Sequence, residues 1–491
     1  MATPTIPNGK EHFFPIIYEG NGAGQKVGKF VPFTDNGTIA NSCIFATGDT
    51  PSLTKTFGSA GDRTEWTFSA WIKLGIPNES GIIFYASPAA DSWNSASSGG
   101  LYFDNLNKLW FYNAGTNIFA TSRTFEDSSK WYHLLIAYDS GQSGTDKIKF
   151  YVDGNQVTSF STDNRSSAPA NSVVNDAQIH MIGGQQTTST ANAFWDGYIA
   201  EVNFVDGTAL TPSTFGVTDT STGRWIPKAL TGITYGSNGF RFTFADSSAL
   251  GDDTSGNTND FASANLASTD QTTNTPTSNY NTFGSFASGT SATQGNLTVN
   301  TGTTNGDTQC VAQPAFGVRS GKWYWEVKVT TVGAGLYGWK DDANAGGSQA
   351  VNTSSNGTHS TNNFAGALST GGVGSYSAGS WFIDGGYGDE VNYTTVSTND
   401  VLMFAMDLDN GKGYCGKNGT WFNSANPANG TGQIGGCHYA NGVNKFYPMA
   451  RRIDSASVGE FNFGQKSFAH TAPTGFSALQ QDNMSTTAKG I

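Results

Sequence analysis

The chain has 491 residues, of which 37% are apolar and only 13% charged, with a net charge of −12; that length allows roughly two to four domains. The acidic balance excludes the basic footprint of a nucleic-acid binder and disfavours a polyanionic membrane surface as partner. No apolar run reaches the length of about 18 residues that a membrane-spanning helix needs.

Phe (33), Tyr (18) and Trp (12) supply enough aromatic surface to bury real cores. The filler of Gly, Ser, Thr and Asn suits solvent-facing strand positions and turns, and Leu and Ala rarely fall at helical spacing. The expectation is an all-β protein: two β-sandwich domains of jelly-roll type joined by a polar connector. The opening MATPTIPNGKEHFFP has neither a basic nor an apolar leader segment, so no secretory signal is predicted.

Residues 1–40 are Gly-rich and irregular, and are predicted to be an arm attached to a neighbour or a strap over the first domain. Residues 41–216 carry repeated short strands. Phe68, Ala70 and Ile72 alternate on one face of a strand, and Trp131 to Tyr138 forms another. Ile148 to Val157 reads as strand, Asp153-Gly154 turn, strand, because Gly accepts positive φ and Asp tolerates it. Residues 217–280 are rich in Asp, Ser, Thr and Asn and read as a connector that begins with a last strand at Phe240, Phe242 and Phe244. Residues 281–476 are strand-rich again, with Lys322 to Val329 and Val401 to Leu408 alternating. Residues 477–491 form a polar tail that frays or docks on a neighbouring molecule.

Phe68-Ser69-Ala70-Trp71-Ile72-Lys73, Trp131-Tyr132-His133-Leu134, Phe150-Tyr151-Val152-Asp153-Gly154, Ile182-Gly183-Gly184 and Phe194 to Val202 succeed one another in a way that resembles the laminin-G-like or concanavalin-like jelly-roll family. Ser320 to Val327, Asp407 to Gly411, Lys417 to Trp421, Tyr447-Pro448-Met449 and Phe461-Asn462-Phe463-Gly464 resemble the SPRY family, another β-sandwich. Gly28 to Asp35, Asp246 to Gly251 and Thr275-Pro276-Thr277 complete a combination similar to structural proteins of marine tailed phages. That resemblance implies a virion component, a tail fibre or appendage in contact with the host. Its expected partners are other virion proteins, host cell-surface polysaccharide and further copies of the chain in a homo-oligomer, without membrane insertion.

The sequence carries no catalytic constellation. A retaining glucanase needs two carboxyls on one face about 5–5.5 Å apart. The strand Glu201 to Asp206 has Asn at 203, and Asp206 falls on the face opposite Glu201. Gly411 to Lys417 has the spacing of a phosphate loop, but Asn418 follows the lysine and a hairpin explains the glycines better. The six His are scattered, and His133, beside Trp131 on a strand, reads as structural. No enzyme activity, catalytic residue or cofactor is therefore expected. Ca²⁺ held by loop oxygens stays open, with the metal ligands unknown. The four cysteines show no metal spacing; buried thiols are expected, with a Cys415–Cys437 bridge left open.

Two functions remain. Glycan recognition needs exposed aromatic platforms beside polar groups; Trp93, Trp110, Tyr112, Trp339, Trp381 and Tyr387 are the ligand-binding candidates, each in competition with ordinary core packing. The alternative is a capsid or tail decoration or adaptor protein that binds no receptor.

Overall fold

The computed structural model describes residues 37–484 except 76–79, 89–94, 186–192, 221–222, 287–290, 302–310, 315–316, 334, 342–363, 370–379, 383–390, 393–395, 434, 437–444 and 453–455. The fold is all-β, and no α-helix occurs among the described residues. The arm expected over 1–40 lies outside them up to residue 36.

The first sandwich is a concanavalin-like jelly roll of two antiparallel eight-stranded sheets. The central sheet runs Asn155–Gln156, Ile148–Val152, Tyr132–Asp139, Glu65–Leu74, Gly197–Asp206, Ser42–Phe45, Gln271–Thr272, with Phe240–Phe242 also paired to Gly197–Asp206. The outer sheet runs Phe160–Asp163, Thr116–Thr121, Leu109–Asn113, Gly99–Phe103, Gly81–Ser87, Ile179–Ile182, Ser52–Thr56, Ala262–Ala264. Period-two alternation decides what lies between the sheets. Phe68, Ala70 and Ile72 face inward with Leu134, Ile136, Phe150, Ile199 and Phe204. From the outer sheet they meet Phe84, Leu101, Phe111 and Phe119. The Asp153-Gly154 turn has positive φ at both residues, 50° and 76°, the type I′ geometry that suits the twist of its flanking strands.

Residues 217–280 do more than connect. Phe240, Phe242, Phe244, Leu250 and Phe261 all enter the first core, and three short segments add strands to the two sheets. Polar residues knit these loops down. Asp206 accepts hydrogen bonds from the Asp62 backbone N–H (2.7 Å), Asn175 Nδ2 (2.6 Å) and the Asn238 backbone N–H (3.0 Å).

The second sandwich pairs a seven-stranded and a nine-stranded sheet. Trp323, Trp325, Val327 and Val329 alternate into its core with Phe404 and Phe461. Gly411 to Lys417 is a turn and a strand, which accounts for its glycine spacing. The tail expected to fray or dock on a neighbour instead docks on its own sandwich over 477–484. Leu479 is fully buried and its N–H reaches the Phe463 carbonyl, because Phe476, Leu479 and Met484 supply apolar anchors within a polar stretch.

The outer face of the central sheet is buried as well. One half, around Leu135, Ala137 and Val205, lies under Phe215 and Tyr235. The other half carries Ile44, Trp71, Tyr198 and Ala200, which join the same apolar cluster as the core of the second sandwich.

Asp206→Ala would strand the buried donors of Asn175 and Asn238 and release the Asp62 N–H. A loss of about 2–4 kcal/mol is expected, read as a lower midpoint in urea unfolding with unchanged slope.

Candidate functional site

On the outer sheet, the strands Gly99–Phe103 and Leu109–Asn113 pair with Tyr102 opposite Trp110 and Gly100 opposite Tyr112. Leu101, Phe103, Leu109 and Phe111 point into the core, so strand alternation turns Tyr102, Trp110 and Tyr112 to the other face. The Tyr102 and Trp110 rings stack at 6.2 Å with 16° between their planes. Both are half-buried, whereas Tyr112 is buried, its hydroxyl donating to the Ser95 carbonyl at 3.0 Å. Beside Tyr102 on the same face lies a buried apolar patch of Ile82, Tyr85, Ile179 and Met181 on the neighbouring strands.

One carboxylate sets the shape of this strip. Asp104 Oδ1 accepts the backbone N–H groups of Leu106 (2.9 Å) and Lys108 (2.8 Å), closing the hairpin. Its Oδ2 accepts the Trp110 indole N–H at 2.8 Å. Asn107 takes the left-handed conformation the turn needs (φ 58°), and its carbonyl is held by the Phe125 N–H. Leu106, at the tip, is 60% exposed. The result is a stacked aromatic pair and an apolar tip fixed before any ligand arrives. Burial, with Asp104 and then Tyr112 adding to it, pushes the Tyr102 phenol pKa up, so it stays a neutral donor and acceptor.

Of the six residues singled out from sequence, Trp110 belongs to this strip. Tyr112 is corrected: it shares the face but is buried, with its hydroxyl bonded to the Ser95 carbonyl, and offers no exposed ring. Trp339 is corrected: it is fully buried in the second core, edge-on to Trp325 (6.2 Å) and Phe404 (6.4 Å), because its strand alternates toward the facing sheet. Trp93 and Tyr387 lie outside the described residues, as does Cys437. Trp381 is placed only as a strand residue opposite Ala367 and Val391. Tyr102, Asp104 and Leu106 were missed. The signal was present: Leu101-Tyr102-Phe103 and Leu109-Trp110-Phe111 repeat one pattern on either side of a turn.

Ser69 and His133 form a buried pair on the central sheet, Oγ to Nε2 at 2.8 Å. The indole N–H of Trp225 donates to His133 Nδ1 at 3.1 Å, and an indole can only donate. That fixes the tautomer: Nε2 carries the proton and donates to Ser69, so this imidazole cannot take the serine proton. Glu201 sits at a β-bulge with φ 48° and is paired to Arg241 Nε at 2.5 Å. Among the described residues, no group of three or more His, Cys, Asp or Glu converges as a metal site would require.

Residues 47–214 match the concanavalin A-like lectin/glucanases superfamily. No curated protein matches the chain. Among solved structures, a native heptameric SAP-like pentraxin of Limulus polyphemus is similar at 15% identity, over 35% of this chain and 79% of that one, with a TM-score of 0.26. A Bacteroides ovatus protein described as a candidate carbohydrate-binding protein is 16% identical over 41% of this chain and 55% of its own, with a TM-score of 0.27. The SPRY domain of human HERC1 is 14% identical over 35% of this chain and 91% of its own, with a TM-score of 0.23.

Burial pulls the His133 imidazole down to about 3 and that of His180 to about 4. Their folded values lie below the unfolded value of about 6.5. Their contribution to stability is therefore complete above about pH 6.5 and lost as the pH falls toward these values. Nitrogen-15 NMR should show both rings neutral and unshifted from about pH 8 to about pH 5, while their contribution lowers the unfolding midpoint only below about pH 6.5.

Proposed function

We propose that this chain is a non-enzymatic, lectin-like surface protein of a phage virion, of tail-fibre or appendage type, which contacts host glycans through the Tyr102–Trp110 strip. The observation that carries the reading is the stacked, half-exposed aromatic pair, locked by Asp104 beside the exposed Leu106. A sugar offers an apolar C–H face to such rings, and its hydroxyls suit the phenol and the exposed amide of Asn105 on the same hairpin. Fixing the rings in advance lowers the entropic cost of binding. The match of residues 47–214 to a lectin-containing superfamily supports glycan binding. Support for a non-catalytic role comes from the Ser69–His133 tautomer and the Arg241-paired Glu201. The virion setting rests on the sequence resemblance to marine tailed-phage proteins.

The test is binding of the full-length protein to a glycan array and to host cells on which the phage plaques. Trp110→Ala and Tyr102→Ala should each weaken binding about tenfold or more, the scale of a contact hot spot, with the fold intact by circular dichroism. Saturable binding unaffected by either change would move the site elsewhere. No binding to glycans or cells would favour the decoration or adaptor role.

A further inference from the structure

Lys73 lies on the outer face of the central sheet, fully buried where the second sandwich packs. Its Nζ donates to Asn279 Oδ1 at 2.8 Å and to the Tyr280 carbonyl at 3.1 Å. The Tyr198 ring lies 5.8 Å away, and that tyrosine donates in turn to the Gly295 carbonyl at 2.7 Å. The Asn279 amide nitrogen is spent on the Ser129 carbonyl at 2.8 Å.

The donor count is informative. A free amine has two N–H groups, and two acceptors are in place. An ammonium has three and a full charge, and no described carboxylate lies within ion-pair distance of Nζ. The titratable groups facing it are few. Tyr198 comes from the paired strand, with Asp196 just before that strand. The 122–131 loop brings Asp127, whose Oδ1 already accepts both the N–H and the hydroxyl of Ser129, and Lys130, which pairs with Asp153 at 3.0 Å. The connector contributes Tyr280.

We propose that Lys73 is a proton-operated latch: as the free amine it lets the two sandwiches close over it, and as the ammonium it loosens their junction by drawing water in. Burial pulls its pKa down from 10.5 to about 7, opposed by the more distant Asp127. The folded value is depressed, so the stabilisation is complete above about pH 10.5 and lost as the pH falls through about 7. The latch thus opens above the range in which the two buried histidines respond.

The experiment is hydrogen exchange on the full-length protein at about pH 8.5 and pH 6.5, corrected for the intrinsic pH dependence of amide exchange. Residues 71–75, 279–281 and 295–297 should exchange about tenfold faster at the lower pH, while 99–113 should not change. Lys73→Met should abolish the difference. Asn279→Asp supplies a counter-charge and should flatten the response with the lysine retained; it carries the test if Lys73→Met does not fold. The same pH response in both variants, or no response in the wild type, would overturn the proposal.

Discussion

The structure depends on one sheet being buried on both faces. The strand Glu65–Leu74 is buried from its second residue to its last, and Gly197–Asp206 along its whole length. An antiparallel sheet normally wets one face. Here loops cover half of the second face and another sandwich covers the rest. The polar residues on that face persist because each is answered: Thr67 by the Thr208 carbonyl, Ser69 by His133, and Lys73 by Asn279 and Tyr280. Unanswered, such groups would cost more than their hydrogen bonds contribute.

That arrangement assigns the sheets different duties. The central sheet, covered on both sides, gives the chain its continuity. The outer sheet is buried on both faces over Gly81–Ser87 and Ile179–Ile182, and the adjoining strands Gly99–Phe103 and Leu109–Asn113 carry the half-buried Tyr102 and Trp110 on a rigid hairpin. Asp104 links the two levels, since the carboxylate that closes the turn also holds the indole of Trp110. The half-buried rings thus inherit the rigidity of the core formed beneath them by Leu101, Phe103, Leu109 and Phe111.

Much of this was legible in the sequence, and the failures have definite causes. Alternation located Phe68, Ala70 and Ile72, and the Asp-Gly pair located a hairpin, because both signals are local. The role of 217–280 was understated: its five apolar anchors are spread through polar residues, and their partners lie far away in sequence. Trp339 was misplaced for a related reason. It was a candidate for an exposed platform, yet the residue pairs opposite Ala365 and Pro448 inside a sheet. Trp110 was found as a ligand-binding candidate, but its setting depends on Tyr102 across the strand and on Asp104 around the turn. Those relations follow from register, which a single sequence only hints at.

The most direct measurement is a crystal structure of the full-length protein with the tightest ligand from a glycan array. If the outer sheet is the binding face, a sugar ring lies against Tyr102 and Trp110, with Leu106 at its edge and the Asp104–Trp110 hydrogen bond intact. A sugar seated on the second sandwich, or a strip left empty at saturating ligand, would contradict it.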